Sequence, residues 1–138
     1  MKKILITGGA GFVGRYFSKY FLDKKYEVHI VDNLSQYTGA KDPNNWPLFL
    51  PKDYKNFFFH NEDCRNWFVT NQKDDFDYVL HLAALVGGRM MIEKNPIAVS
   101  DDLSIDSHFW QWAVKCKPKK VLTFSSSACY PVIYQKKE

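Results

Sequence analysis

Three glycines near the start of the chain have the spacing of a phosphate site. Gly8, Gly11 and Gly14 directly follow the apolar run Lys3–Thr7, and a helical pattern begins at Phe12. Glycines so placed allow a tight turn, leave room for a pyrophosphate beside the backbone, and let a helix pack closely on the strand. The N–H groups and the positive end of that helix then face the phosphates.

The acid that closes the second apolar run indicates which nucleotide this turn would bind. Asp32 ends the run of residues 27–32, about 20 residues beyond the glycines, where a carboxylate accepts hydrogen bonds from an adenosine ribose. The same carboxylate would repel a 2′-phosphate, so we expect NAD rather than NADP. The alternative is that the glycines only make a turn and that Asp32 only caps a loop.

Strands and helices that alternate along the chain must position these groups. The apolar patterns predict strands at Lys3–Thr7, 27–32, Phe57–His60, 78–82 and 120–125, and helices from Phe12, at 65–72 and at 97–116. This alternation predicts an α/β fold, a Rossmann-type doubly wound parallel sheet with helices on both faces. Ligands bind such sheets at the carboxyl ends of the strands. The irregular stretch 34–55 predicts a surface excursion.

Two helices carry predicted apolar faces. The first face is formed by Phe12, Val13, Tyr16, Phe17, Tyr20 and Phe21, and the face on the long helix by Val99, Leu103, Trp110, Ala113 and Val114. Asp102 and Asp106 lie on or beside the second face, one turn apart. We expect Asp102 to interact with the helix N-terminus that follows Pro96, whereas Asp106 has no evident partner.

Composition narrows the classes of protein. The 138 residues are 46% hydrophobic, enough for one domain over residues 1–138 with its own core and without a membrane span. The net charge of +4 is spread over scattered lysines, which predicts a solvated surface rather than nucleic-acid binding. Three cysteines and four histidines lack disulfide or metal-ligand spacing. With no signal peptide ahead of the first strand, we expect a cytoplasmic protein with reduced thiols and no metal.

The chain resembles the N-terminal part of extended short-chain dehydrogenases/reductases, the NAD-dependent nucleotide-sugar epimerase/dehydratase family. The resemblance rests on segments that occur in the order of the family and span almost the whole chain: residues 6–14, 31–33, 63, 81–84 and 124–131. Within the family, residues 83–88 and 127–131 are most similar to GDP-fucose synthases and GDP-mannose 3,5-epimerases. The resemblance implies NAD as cofactor and a nucleoside-diphosphate sugar as substrate, and it leaves a homo-oligomer open.

The resemblance also implies roles for individual residues in holding NAD. The pyrophosphate would lie at Gly8, Gly11, Phe12 and Val13, beside Gly14, and the adenosine ribose at Asp32 and Asn33. Asp63 would accept from the adenine amino group, with the backbone of Cys64 adjacent, and the ribose rings would lie against Leu82, Ala83 and Ala84. Asp63 can also be the N-cap of the helix that follows it. His81 is expected to be a buried, hydrogen-bonded strand residue.

The serine run carries the chemistry that the resemblance implies. In the family a serine or threonine here hydrogen-bonds to the reacting sugar, and a tyrosine with a lowered pKa removes a proton. Counting back four residues from Tyr130 selects Ser126, which we favour, whereas counting back two from Cys129 selects Ser127. Cys129 is either an acid/base group at a sugar carbon, as in the two named relatives, or a small buried residue.

The Tyr-x-x-x-Lys pair of the family lies downstream of the serine run, and the chain reaches Glu138 soon after it. The internal matches Tyr20–Lys24 and Tyr37–Lys41 are not placed like that pair. We therefore expect a fragment or part of a longer enzyme, with the C-terminal strands and the substrate domain missing. The alternatives are a non-catalytic NAD-binding module and an inactive fragment that associates with itself through exposed sheet edges.

Overall fold

Five parallel strands form the centre of the molecule. The computed structural model describes residues 1–72, 75–86, 89–126, 129–131 and 133. The strands are β1 (Lys3–Thr7), β2 (Glu27–Val31), β3 (Phe57–His60), β4 (Tyr78–His81) and β5 (Lys120–Thr123). The helices are α1 (Phe12–Asp23), α2 (Cys64–Thr70), α3 (Arg89–Lys94) and α4 (Pro96–Cys116). All the predicted strands are present, and α3 is an addition that the sequence patterns did not indicate.

The order of the strands creates a crevice at one edge of the sheet. The order is β3-β2-β1-β4-β5, with every pair parallel. Thr7 at the end of β1 is in register with Val31 of β2 and with His81 of β4, so three strands end together. The chain moves outward from β1 to β3 and then crosses to the far side of β1. Because ligands bind where the order reverses, the predicted Rossmann-type sheet presents its crevice beside the end of β1.

Helices cover both faces of this sheet. Successive residues of a strand point to opposite faces, and β1 sends Ile4 and Ile6 to one face and Leu5 to the other. The first face packs with α1 through a cluster that includes Leu22, Val28, Ile30 and Leu80. The second face packs with α2 and α4 through a cluster that includes Val31, Trp67, Phe68, Phe109 and Trp112. Burial on both faces explains why β1 is apolar without alternation.

The buried side of α1 is not the apolar face that the sequence predicts. Tyr16 and Tyr20 are 55% and 53% exposed. Phe17 and Phe21 are partly buried, and the buried residues of the helix are Gly14, Arg15, Ser18 and Leu22. The small residues at positions 14 and 18 let the helix lie close to the sheet, so the bulky tyrosines turn outward.

The predicted apolar face of α4 is wrong at Leu103, Trp110 and Val114, whereas Ala113 is buried and Val99 is half-buried. Leu103 and Val114 are 75% and 71% exposed, whereas the buried residues are Phe109, Trp112 and Ala113. The indole Nε1 of Trp112 donates to the carbonyl of Asn71 over 2.9 Å. This bond and the aromatic contacts of Phe109 and Trp112 with α2 fix the rotation of the helix.

The stretch between β2 and β3 is more than a surface excursion. It contains short 3₁₀ turns at Pro43–Asn45 and Pro51–Asp53. Between them Trp46 is 3% exposed and donates from Nε1 to the carbonyl of Lys41 over 2.6 Å. The indole therefore anchors the stretch to the core beside Phe57. Among the described residues, none of the helices combines the length and the apolar composition needed to cross a membrane.

Candidate functional site

A cleft of about 520 Å³ opens at the carboxyl ends of β1, β2 and β4. This size is typical of small-molecule sites. The cleft is lined by all twelve residues that the sequence selects for cofactor binding: Gly8, Gly11, Phe12, Val13, Gly14, Asp32, Asn33, Asp63, Cys64, Leu82, Ala83 and Ala84. The fold therefore brings together residues that are up to 76 positions apart.

The glycine-rich turn, residues 8–11 together with Gly14 in the first turn of α1, packs tightly against its neighbours. Gly8 has φ +66°, and a Cβ there would lie 2.8 Å from the Cα of Ala83. A Cβ at Gly14 would lie 2.5 Å from the Cα of Gly9. At Gly9, which lies outside the three-residue spacing of the other glycines, a Cβ would lie 2.6 Å from the side chain of Ile30. Steric fit within the protein therefore requires glycine at all three positions.

Gly11 differs from these glycines, because its surroundings are more open. A Cβ there would have one neighbour, the carbonyl oxygen of Gly8 at 3.2 Å. Gly11 is the N-cap of α1, and no side chain caps the helix there. The first-turn amides of Phe12, Val13 and Gly14 thus lie at the cleft with no acid in that turn. This is the arrangement that a helix N-terminus offers to a phosphate group.

Asp32 joins the glycine-rich turn to the end of β2. The strand ends at Val31, and Asp32 follows it with only 7% of its surface exposed. Its Oδ2 accepts from the amide of Ala10 over 3.0 Å, and Oδ1 accepts from the amide of Leu34 over 2.8 Å. Burial raises the pKa of the Asp32 carboxyl, and the two amides oppose that rise. Each oxygen retains a lone pair, so the carboxylate can also accept from a ribose hydroxyl.

Asp63 serves as the N-cap of α2 and also lines the cleft. Its Oδ1 accepts from the amide of Arg65 over 2.9 Å. The guanidinium of Arg65 holds the same carboxylate in a fork, Nε to Oδ1 at 3.0 Å and Nη2 to Oδ2 at 2.8 Å. These bonds lower the pKa of Asp63. Arg65 is not among the residues that the motifs indicate, although its position two residues after Asp63 is a signal for this ion pair.

Cys64 lies between these two charged residues, with its side chain buried. Burial, followed by the charge of Asp63, raises the pKa of the thiol to about 12. The thiol therefore stays protonated at neutral pH. Its side chain packs in the core with Trp67 and Val31, which leaves the backbone as the part suited to contact a ligand.

The loop after β4 is held by side chains from other elements. The hydroxyl of Thr7 accepts from the amides of Leu82 and Ala83 over 3.2 and 3.3 Å. Asp102 of α4 accepts from the amide of Leu85 over 2.6 Å. The expected interaction of Asp102 with the helix N-terminus is wrong, because Asn95 caps α4 there and Asp102 bonds to the loop instead.

His81 is buried and hydrogen-bonded, as the sequence predicts. It is 5% exposed, and its ring stacks on Phe109 with centroids 4.0 Å apart. Nδ1 lies 2.7 Å from Oγ1 of Thr7, and Nε2 lies 3.2 Å from Oδ1 of Asp106. Burial lowers the pKa of His81, while Asp106 opposes that change. Asp106, which had no evident partner in the sequence, therefore interacts with His81.

Ser125 and Ser126 of the serine run follow the end of β5. Ser125 Oγ donates to Cys129 Sγ over 3.5 Å, and the Cys129 amide donates to the Ser126 carbonyl over 3.0 Å. Cys129 is exposed, so the alternative of a small buried residue is wrong. The hydrogen bond from Ser125 lowers the pKa of the Cys129 thiol. Within the part of the chain that the structure describes, Ser126 and Cys129 do not line the cleft. Ser127 lies outside the described residues.

This combination of sheet reversal, glycine-rich turn and acid after β2 defines a dinucleotide-binding class of fold. Residues 4–138 match the model of the NAD dependent epimerase/dehydratase family. The chain belongs to that family.

Individual relatives agree with this assignment. The chain is 34% identical over 136 residues to an uncharacterised protein of Methanocaldococcus jannaschii, covering 94% of this chain and 41% of that protein. It is 31% identical over 132 residues to a UDP-glucose 4-epimerase of Cyamopsis tetragonoloba, and the match covers 92% of this chain and 37% of that protein. Among solved structures, the UDP-N-acetylglucosamine 4-epimerase of Methanobrevibacter ruminantium matches with a TM-score of 0.76 at 29% identity. The match covers 99% of this chain and 42% of that one. The chain thus spans about two fifths of the length of these relatives.

Proposed function

We propose that residues 1–138 form the NAD-binding domain of an enzyme that epimerises or dehydrates a nucleoside-diphosphate sugar. The observation that carries the proposal is the cleft, where the glycine-rich turn, two acids and the loop after β4 meet. The UDP-sugar epimerases among the relatives support the substrate class. As part of this proposal we place the reaction in the cytoplasm, because reduced thiols such as Cys64 suit a reducing compartment.

The glycine-rich turn is assigned to the pyrophosphate. Phosphate oxygens would accept from the amides of Phe12 and Val13 at the start of α1, and Gly8 and Gly11 would leave room beside the backbone. Gly14 keeps the helix close to the turn, since a Cβ there would meet Gly9. The positive end of the helix adds a favourable interaction with the negative charge.

The two acids and the loop after β4 are assigned to the rest of the cofactor. Asp32 and Asn33 would accept from the adenosine ribose, and Asp63 would accept from the adenine amino group beside the Cys64 backbone. The ribose rings would rest against a surface of small and apolar residues, Leu82, Ala83 and Ala84. All of these line the same cleft. The buried carboxylate of Asp32 would repel a 2′-phosphate, which favours NAD over NADP.

The serine run is assigned to the sugar. When bound, NAD supplies a hydride acceptor that can turn a sugar hydroxyl into a ketone. Ser126, with Ser127 as the alternative, would hydrogen-bond to that hydroxyl. Cys129 would exchange a proton at a neighbouring carbon, and its exposed position and lowered pKa suit that role.

A non-catalytic NAD-binding module is the second candidate, since Ser126 and Cys129 do not line the cleft in the described part of the chain. Adding UDP-glucose to the NAD-loaded protein, in a form that contains the Tyr-x-x-x-Lys pair of the family, separates the two candidates. The enzyme proposal predicts formation of NADH or of an altered sugar when the Tyr-x-x-x-Lys region of the whole protein is present. A whole protein that contains this pair, binds NAD and leaves nucleoside-diphosphate sugars unchanged would favour the module.

The cofactor assignment is tested by calorimetric titration of the chain with NAD and NADP. We expect NAD to bind more tightly, and Asp32→Ala to weaken NAD binding while reducing the preference over NADP. Asp42→Ala is the matched control, because Asp42 accepts from the amide of Asn44 over 2.7 Å in a similar local turn outside the cleft. Binding of NADP as tight as that of NAD would refute the role of Asp32.

A further inference from the structure

The loop after β4 depends on a chain of hydrogen bonds that ends at the protein surface. Leu82 and Ala83 donate to the hydroxyl of Thr7, Thr7 contacts His81, and His81 contacts Asp106. Thr7 is fully buried and His81 nearly so, whereas the side chain of Asp106 is 59% exposed. The chain thus connects residues at the cofactor cleft with a solvent-accessible carboxylate on α4.

The direction of each hydrogen bond follows from counting donors and acceptors. A threonine hydroxyl has one proton and two lone pairs. The amides of Leu82 and Ala83 both donate to the Thr7 hydroxyl oxygen, although Leu82 shares its N–H with the Thr7 carbonyl, and this geometry directs the hydroxyl proton to His81 Nδ1, 2.7 Å away. Nδ1 is therefore unprotonated, and Nε2–H donates to Asp106 over 3.2 Å. This arrangement requires neutral His81 with its proton on Nε2.

We propose that Asp106, acting through His81 and Thr7, is a positioning residue that holds the Ala83 backbone at the cofactor cleft while His81 is neutral. The part of this inference that concerns cofactor affinity rests on the proposed function. Protonation at Nδ1 would place an N–H against the Thr7 hydroxyl, whose lone pairs are already used. The N–H of Leu82 is shared with the Thr7 carbonyl at 3.1 Å, whereas the Thr7 hydroxyl is the acceptor described for Ala83, so competition for that hydroxyl would weaken the Ala83 bond most.

Movement of Ala83 would reach the glycine-rich turn directly. The space beside Gly8 is so small that a Cβ there would lie 2.8 Å from the Cα and the amide nitrogen of Ala83. A change at His81 is therefore transmitted to the predicted pyrophosphate site through one backbone contact. The pH at which this happens is set by the groups around the imidazole.

Those groups come from three elements. Thr7 faces the imidazole from β1, Phe68 lies near it on α2, and Phe109 and Asp106 contact it from α4. Of these described neighbours, Asp106 alone carries a charge. Asp102, one turn earlier on the same helix, interacts electrostatically with Asp106 and holds Leu85 instead.

The relay, meaning the hydrogen-bond chain from Ala83 through Thr7 and His81 to Asp106, is tested in the cofactor-free chain by NMR. Long-range ¹H–¹⁵N spectra should show His81 as the Nε2–H tautomer at pH 8. The protection factor of the Ala83 amide should fall about fivefold in Thr7→Val, as expected for the loss of one hydrogen bond, and should recover in Thr7→Ser. An Nδ1–H tautomer, or unchanged Ala83 protection in a folded Thr7→Val chain, would overturn the relay. If Thr7→Val does not fold, Ala83 protection is compared between wild type, Thr7→Ser and Asp106→Ala. Unchanged protection in Asp106→Ala would then overturn the relay.

The link to the cofactor is tested by the affinity for NAD between pH 5 and 8. We expect affinity to fall as His81 becomes protonated. Asp106→Asn, which keeps an acceptor for Nε2–H but removes the charge, should shift the profile to lower pH and leave the affinity at pH 8 unchanged. Asp42→Asn, which removes a charge outside the cleft that does not contact His81, is the control. An identical profile in wild type and Asp106→Asn would refute the link. Absence of NAD binding at every pH would refute the proposed function, while the NMR result on the relay would still stand.

Discussion

The main-chain amide of Ala10 donates to Oδ2 of Asp32 over 3.0 Å, which ties the glycine-rich turn to the end of β2. One carboxylate thereby shapes the proposed pyrophosphate site and faces the proposed ribose site. Its other oxygen accepts from the amide of Leu34, where the chain leaves the sheet. The Asp32 carboxylate therefore connects the proposed pyrophosphate site with the proposed ribose site by hydrogen bonds.

Alanine at Gly8 should destabilise the fold more than alanine at Gly39. Both have φ near +67°, at +66° and +68°, but a Cβ at Gly39 would have no neighbour within 4 Å. The positive φ alone should cost about 1 kcal/mol in Gly39→Ala. Gly8→Ala should cost about 3 kcal/mol, because the methyl group also meets the Ala83 backbone. Urea unfolding measures the free energy of unfolding of both variants. Equal losses of stability would show that the contact between Gly8 and Ala83 does not exclude a side chain.

Gly11→Ala should separate binding from stability. The backbone of Gly11 has φ −67° and ψ 174°, which any residue adopts, so the free energy of unfolding should change by about 1 kcal/mol or less. The added methyl group would narrow the space assigned to the pyrophosphate, and the affinity for NAD should fall at least tenfold. Calorimetry and urea unfolding of the same sample check this pair of results. Unchanged affinity would place the phosphates elsewhere.

Trp46→Ala should destabilise the fold and loosen the stretch between β2 and β3 at the edge of the cleft. The indole is 3% exposed and anchors the stretch that supplies Ser35, Tyr37 and Thr38 to the cleft. Loss of a buried tryptophan costs about 3–5 kcal/mol. Trp110→Ala is the matched control, because Trp110 is 49% exposed and its loss should cost much less. Thermal unfolding compares them, and similar shifts in Tm would contradict the burial of Trp46.

Stability should decline as the pH falls below about 6.5, the pKa of histidine in an unfolded chain. Burial lowers the pKa of His81 in the folded chain, so the folded state binds its proton less readily than the unfolded state does. The contribution of neutral His81 is complete above the unfolded pKa and is lost as the pH falls toward the folded one. Urea unfolding from pH 8 to pH 5 should show this slope, and His81→Gln should reduce it. The same slope in His81→Gln would assign the effect to other groups.

Local spacing made much of the cleft predictable from the sequence. Gly8, Gly11 and Gly14 lie in one short segment between β1 and the first turn of α1, and Asp32 and Asp63 follow strands whose apolar runs are easily recognised. A parallel sheet places the ends of these strands together, so the residues that line the cleft could be named without coordinates.

Contacts between distant elements were not predictable in the same way. Thr7 and His81 are 74 positions apart, and the pairing of His81 with Asp106 depends on the rotation of α4. That rotation was predicted wrongly, because apolar residues such as Leu103 and Phe109 occur on more than one side of the helix. Periodicity alone cannot choose between two apolar stripes, whereas packing against α2 does.

The most direct test of the central claim is an NMR titration of the ¹⁵N-labelled chain with NAD. We expect the amide signals of Gly11, Phe12 and Val13 at the start of α1 to shift most, together with those of Leu82 and Ala83. Amides of the stretch near Lys52, which lie outside the cleft, should stay unchanged. Absence of shifts at millimolar NAD, or shifts confined to other surfaces, would contradict the assignment of this cleft to the cofactor.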